Sequence, residues 1–360
     1  MLNLHYGLIH NGLPSQIDIN NSSLPAIKAG NEPRRITLCK EGDIAFADAS
    51  EDTNDVGKVV EFVDCAGKNV VCGLHTIHGR DKLDITVLGF KVYAFSSKAF
   101  HDQIKRIAQG TKVFSISVGC FDEVCVGIPS KEEQKRIAGL LSLIDQRIAI
   151  QNKVIEKYES LIRAIILRSQ SSSFSRKVYL REILNERKEL NEHGYDICSV
   201  SVSKGVVNQV ECLGRSFAAK ETAHYHVVHK GDIVYTKSPT GEFPYGIIKQ
   251  SYLDAPVAVS PLYGVYKPID YLTGIYLHHF FCSPQNAKNY LHKLIQKGAK
   301  NTINITNQHF LDNLISIPED DALQRIVALI EILSAKVSLE RKLLSFYSKQ
   351  KTFLLSKLFI

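Results

Sequence analysis

The run Ile128-Pro129-Ser130-Lys131-Glu132-Glu133-Gln134-Lys135-Arg136-Ile137 opens a long helical pattern in the middle of the chain. Ser130 is a good N-cap, and Glu133 three residues on completes a capping box. Apolar residues then fall at Ile137, Leu141, Ile144, Ile148, Ile155, Tyr158, Ile162 and Ile165. Their steps alternate between four and three, with one polar break at Gln151, which is the period of a coiled-coil seam. Glu132–Arg136 and Glu159–Arg163 are favourable i,i+4 pairs. Arg163 and Arg168 lie toward the C-terminal end, where the macrodipole favours cations. An ordinary core helix has about 11 residues and would not sustain such a stripe.

The same pattern returns near the end of the chain. Apolar residues fall at Ile326, Ile330, Leu333, Val337, Leu344, Tyr347, Leu354 and Leu358, with polar interruptions at Glu340 and Lys351. Glu340 is the counterpart of Gln151, and the same offset relates Gly42-Asp43-Ile44 to Gly231-Asp232-Ile233, Ile128-Pro129 to Ile317-Pro318, and Arg136-Ile137 to Arg325-Ile326. One register held across half the chain argues for a tandem duplication. Gly110-Thr111-Lys112 matches Gly298-Ala299-Lys300 with a slip of one position.

Each half begins with a block rich in Val, Ile, Tyr, Phe, Gly and Pro, which reads as short strands and turns. The chain therefore parses as β-rich residues 1–129, a helix over 130–170, β-rich residues 171–318 and a helix over 319–360. The expected fold class is α+β: two β-rich domains separated by two long helices that run antiparallel about a pseudo-twofold axis. The bland alternative is a pair of core helices whose stripes happen to follow the heptad period. In the second half, 174–230 precede the Gly-Asp-Ile, whereas the first half has only 1–41 before it, so a counterpart of Phe174–Glu189 is missing and the first domain is expected to start late.

Composition narrows the function classes. At 360 residues, 44% hydrophobic and 22% charged, the chain reads as globular. It has no apolar run long enough for a membrane span and no secretory leader pattern at Met1-Leu2-Asn3-Leu4. Its eight cysteines then suggest reduced thiols and a cytoplasmic location. The net charge of +7 permits nucleic-acid binding without demanding it. Residues 1–130 carry 13 basic and 15 acidic groups, so the excess lies elsewhere.

The helix opening and the order of parts resemble the specificity subunit of type I restriction-modification systems. The first helix carries the likeness most specifically. The second keeps Pro318 and Arg325-Ile326 but has Ala322-Leu323 where the first has Glu133-Gln134. The resemblance implies two target recognition domains, each reading half of a bipartite double-stranded DNA site, and a helical spacer that fixes the gap. It implies methyltransferase (M) subunits as partners, with restriction/translocase (R) subunits for cleavage. S-adenosylmethionine, ATP and Mg would reside in those subunits, and this chain would bind no cofactor and catalyse nothing itself.

The residues agree on catalysis. There is no glycine-rich cofactor loop, no Asn/Asp-Pro-Pro-aromatic run and no P-loop. Glu186-Arg187-Lys188 is a Glu-x-Lys triplet and reads as a solvated face. Cys72, His75 and His78, and His224, His226 and His229, have spacings compatible with metal, but neither group recurs in the other half, and no metal site is expected. DNA contacts are expected from Thr111 and Lys112, from Lys300, Asn301 and Thr302 at the matching place, from Lys237, Ser238 and Thr240 in a turn, and from Arg34, Arg35 and Arg80. Two other classes fit the same order of parts: a coiled-coil interaction protein that binds no DNA, and the specificity module of a related methyltransferase system.

Overall fold

The computed structural model describes residues 1–30, 37–210, 221–297 and 303–359. By contacts the chain forms two compact units, Met1–Lys153 with Arg341–Ile360, and Val154–Glu340. The fold is mixed α+β. The four-part division along the sequence differs from this division in space, because each long helix contributes one end to each unit.

In the first unit, β1 (Leu2–Leu4), α1 (Tyr6–His10) and β2 (Gln16–Asp18) precede β3 (Ile44–Ala47), β4 (Ala49–Ser50), β5 (Val59–Asp64), β6 (Val70–Cys72) and β7 (Thr76–Gly79). Next come α2 (Lys91–Ala94), α3 (Lys98–Ile107), β8 (Phe114–Ser115) and the first long helix, α4 (Lys131–Gln170). The main sheet has the order β2-β5-β3-β7. Its core is aromatic, with Phe46, Phe90, Tyr93 and Phe100 buried against the start of α4. The stretch ahead of Gly42 thus holds strands of its own, β1 paired with β6 and β2 with β5, both in parallel.

In the second unit, β9 (Ser175–Tyr179), α5 (Leu180–Ile183), β10 (Leu184–Glu186), β11 (Cys198–Ser201), β12 (Gly205–Asn208), β13 (His226–Val228), β14 (Ile233–Tyr235), β15 (Ile248–Gln250), β16 (Val257–Val259) and β17 (Gly264–Pro268) follow α4. Then come α6 (Tyr271–Phe281), α7 (Pro284–His292), β18 (Gln296–Lys297), β19 (Ile303–Asn304), α8 (Asn307–Phe310), β20 (Leu314–Pro318) and the second long helix, α9 (Asp320–Lys357). The main sheet has the order β10-β17-β14-β15. β9 pairs with β20, so the segment Phe174–Glu189 that lacks a sequence counterpart supplies one strand beside the helices and one sheet edge.

The two sheets share three strands. Ile44 pairs with Glu61 in the first, and Ile233 pairs with Gln250 in the second, with both members of the pair at the offset of the sequence repeat. β7 and β17 flank β3 and β14 on the other side, but their registers do not keep that offset. The fourth strand differs: β2 lies outside β5, whereas β10 lies outside β17.

α4 has 40 residues and α9 has 38. Ser130 Oγ accepts the Glu133 N–H at 3.3 Å, the expected cap, and Arg136 donates to Glu132 at 2.6 Å. Ile137, Leu141, Ile144, Ile155, Ile330, Leu333 and Val337 are buried, and Ile148, Tyr158, Ile326, Leu344 and Tyr347 are half-buried. In the first unit the start of α4 shares a core with Leu354, Leu355 and Leu358 near the end of α9. In the second, Ile162 and Ile166 near the end of α4 share one with Leu323, Val327 and Ile330 near the start of α9. Gln151, the expected break, is itself buried.

Candidate nucleic-acid interface

The expected DNA-reading residues fall into loops of very different construction. Gln109 and Ser115 exchange backbone hydrogen bonds at 3.0 and 2.8 Å and close a loop whose tip carries Thr111 and Lys112, both exposed. Gly110 has φ +138°, and a Cβ there would lie 1.9 Å from the Val113 carbonyl oxygen, so only glycine allows this closure. In the second unit β18 and β19 pair antiparallel on either side of 298–302. Lys300, Asn301 and Thr302 lie outside the described residues, as do Arg34 and Arg35.

The loop from Lys237 to Gly246 connects β14 to β15. Thr240 and Phe243 exchange backbone hydrogen bonds, and the buried Phe243 ring anchors the turn. Ser238 and Thr240 are exposed. Lys237 is half-buried and has φ +59°, a conformation that costs a non-glycine residue about 1 kcal/mol or more. Gly246 packs against it so closely that a Cβ would sit 2.8 Å from the Lys237 nitrogen. Burial lowers the Lys237 pKa, and the Glu186 carboxylate opposes that shift. The loop Asp48–Gly57 occupies the equivalent place in the first unit but carries Asp48, Glu51, Asp52 and Asp55. Four carboxylates would repel phosphate, so these two loops cannot serve DNA in the same way.

Arg80 is engaged within its own unit. Its Nε donates to Asp43 Oδ1 at 2.7 Å, and one terminal nitrogen donates to Asp43 Oδ2 at 2.6 Å and to the Leu38 carbonyl at 2.9 Å. Its partner Asp43 also accepts the Lys40 N–H, and His78 Nε2 lies 2.8 Å away. Burial would raise the Asp43 pKa, but the Arg80, Lys40 and His78 hydrogen bonds outweigh it and hold the carboxyl below its usual range. Asp232, its counterpart in the repeat, is built alike: it accepts the His229 N–H and two hydrogen bonds from Arg187. The repeated Gly-Asp-Ile is thus a turn with a buried carboxylate clamped by an arginine, and Arg187 in Glu186-Arg187-Lys188 is that clamp.

Sequence reasoning passed over the Arg80 and Arg187 clamps and Gln134. Gln134 is buried, accepts the Val87 N–H at 2.8 Å and donates to the Ile85 and Pro129 carbonyls. It fastens the start of α4 to the loop before α2. The available signal was its replacement by Leu323, a buried core residue, in the second half. Of the other candidate histidines, His75 reaches Asp48, His226 the Tyr263 carbonyl and His229 Glu189. Among the described residues, no group of three or more His, Cys, Asp or Glu side chains is arranged to hold a metal ion. No helix among them is long and apolar enough to cross a membrane.

The architecture has solved counterparts. A type I restriction-modification S subunit from M. genitalium aligns over 91% of this chain and 84% of its own, with a TM-score of 0.54 at 16% identity. A structure from a study of complex assembly and conformational transition of the type I restriction-modification system aligns over 98% and 90%, with a TM-score of 0.52 at 13% identity. The chain has the fold of type I S subunits. No protein-family model and no curated protein matches the sequence.

Proposed function

We propose that this chain is the DNA-specificity subunit of a type I restriction-modification complex. The single observation that carries the proposal is the S-subunit fold along nearly the whole chain. The three-strand repeat supports reading it as a tandem duplication in which each β-rich part is a target recognition domain for one half-site. The shared cores at opposite helix ends support an antiparallel spacer that sets the gap between half-sites. The chain itself is a non-catalytic, cytoplasmic protein in this reading, and S-adenosylmethionine, ATP and Mg belong to its partners.

Those partners need a surface. Ile332, Leu339, Phe346 and Phe353 on α9 recur at the heptad period and are all exposed, with Leu329 and Leu343 beside them. This second stripe, separate from the buried seam, suits the helices of docking M subunits. The assembled complex should bind duplex DNA with an affinity that falls steeply as salt rises, because phosphate contacts release counterions. Binding that is absent, or indifferent to salt, contradicts the proposal and favours a protein-interaction role.

A further inference from the structure

Glu61 and Gln250 occupy the same place in the three strands that the two sheets share, yet the edges beyond them are finished differently. In the first unit the outward Glu61 N–H donates to the Ser15 carbonyl at 2.9 Å, and β2 runs along that edge. Gln16 then fills the space beyond: its amide donates to the Gly89 carbonyl, and its oxygen accepts from Ser142 on α4. Among the described residues of the second unit, no strand lies outside β15. The Gln250 N–H donates instead to His278 Nδ1 at 3.0 Å. In the register of the repeat, Glu331 stands where Ser142 does, and Ser334 where Asp145 does.

A cavity of about 340 Å³ opens here, lined by Tyr252, Tyr271, Ile275, the two histidines His278 and His279, Glu331 and Ser334. Ser334 Oγ is buried and has no hydrogen-bond partner among the described residues. Tyr252 and Tyr271 are more than half exposed, and the Tyr271 hydroxyl donates to Glu331 at 2.5 Å. Burial, with His279 and Lys249 nearby, lowers the His278 pKa; burial and Lys249 lower that of His279 to about 4. Both tyrosine pKa values are raised. Glu331 is the one acidic residue among the seven lining residues.

We infer that this cavity takes an arginine side chain presented by the subunit that docks on α9. The site offers a carboxylate, an unused hydroxyl oxygen and two tyrosine rings. A guanidinium has five donors and no acceptor, pairs with carboxylates and stacks on aromatic faces. Glu331 would repel a phosphate, so DNA does not fit. Ile332, the first residue of the proposed docking stripe, is exposed and follows Glu331 on the same helix, about 100° further round its axis. The inference rests on the docking reading for the source of the arginine, though not for the chemistry of the cavity.

The full chain, labelled with ¹⁵N-histidine, is titrated with N-acetyl-arginine methylamide, with N-acetyl-citrulline methylamide as the uncharged control. Saturable shifts at two imidazoles are expected with arginine alone, and Glu331→Gln should weaken this binding at least tenfold. No saturable shift, or an equal response to citrulline, overturns the inference whether or not any subunit docks. In the second arm, affinity for the M subunit is measured for Glu331→Gln and Leu339→Glu. Both should weaken it, Glu331→Gln at least fivefold. If Leu339→Glu abolishes docking and Glu331→Gln leaves it unchanged, the arginine assignment fails while docking stands. If neither variant matters, the docking reading falls, and the arginine no longer has its stated source.

Discussion

Lys351 Nζ lies 2.5 Å from Asp145 Oδ1, joining the end of α9 to the first half of α4. The other oxygen of that carboxylate accepts the Tyr93 hydroxyl at 3.0 Å. One acidic side chain thus ties both long helices to the aromatic core of the first unit. Lys351 and Asp145 are 19% and 28% exposed, so water screens the pair only in part. Lys351→Met and Asp145→Asn should each lower stability by about 1–2 kcal/mol, with a coupling of about 1 kcal/mol in the double-mutant cycle. Urea unfolding of the four proteins checks this; strictly additive effects would mean the contact does not form.

Gln134 offers a sharper case. Gln134→Leu copies the residue that the second half uses at Leu323, but it strands the Val87 N–H and the Ile85 and Pro129 carbonyls. The expected loss is about 2–3 kcal/mol, the cost of unsatisfied buried polar groups. Thermal unfolding measures it, and a neutral or stabilising result would show that the loop reorganises freely.

The helices were legible in the sequence because a heptad pattern needs only local spacing, and both helices span the stretches where that spacing puts them. What was misjudged were the polar residues in the stripe. Gln151 reads as a break but is buried, and Lys351 reads as an interruption although its partner Asp145 is far away along the chain. Spacing along one helix cannot show a partner on another. The candidate interface suffered similarly. Arg80 reads as a candidate DNA contact because Asp43, distant in sequence, is brought to it only by the pairing of β3 with β7. Nothing in the residue type announces that Lys237 adopts a left-handed backbone. That conformation follows from the close approach of Gly246.

The second unit should be sensitive to acid. His279 has a folded pKa of about 4 against an ordinary 6.5, because burial and the Lys249 cation disfavour its charged form. The unfolded chain therefore binds the extra proton between those values. Stability from the neutral imidazole is fully present above about pH 6.5 and is lost as pH falls toward about 4, by at most about 3 kcal/mol. His278 acts in the same direction. Calorimetry from about pH 7 to about 4.5 should show a falling melting temperature for wild type and a flatter profile for His279→Gln. Equal slopes would mean that His279 is not held neutral.

Lys112 sits at an exposed loop tip that only a glycine can close. If it touches phosphate, Lys112→Ala should weaken DNA binding by the assembled complex to a similar degree on every sequence. The slope of log affinity against log salt should fall by about 1. Loss confined to one target base would instead assign Lys112 to base reading, and no loss would remove it from the interface.

The central claim is that this chain selects the DNA sequence that partner subunits methylate, with its helices setting the gap. The most direct measurement is single-molecule methylome sequencing of a host expressing the chain with its M subunit. It is repeated for a variant with four residues, about one helical turn, inserted beside both Gln151 and Glu340. The account predicts adenine methylation in a two-part motif for the natural chain, and the same two half-sites around an altered gap for the variant. Absence of any motif dependent on this chain, or half-site bases that change while the gap stays fixed, would contradict it.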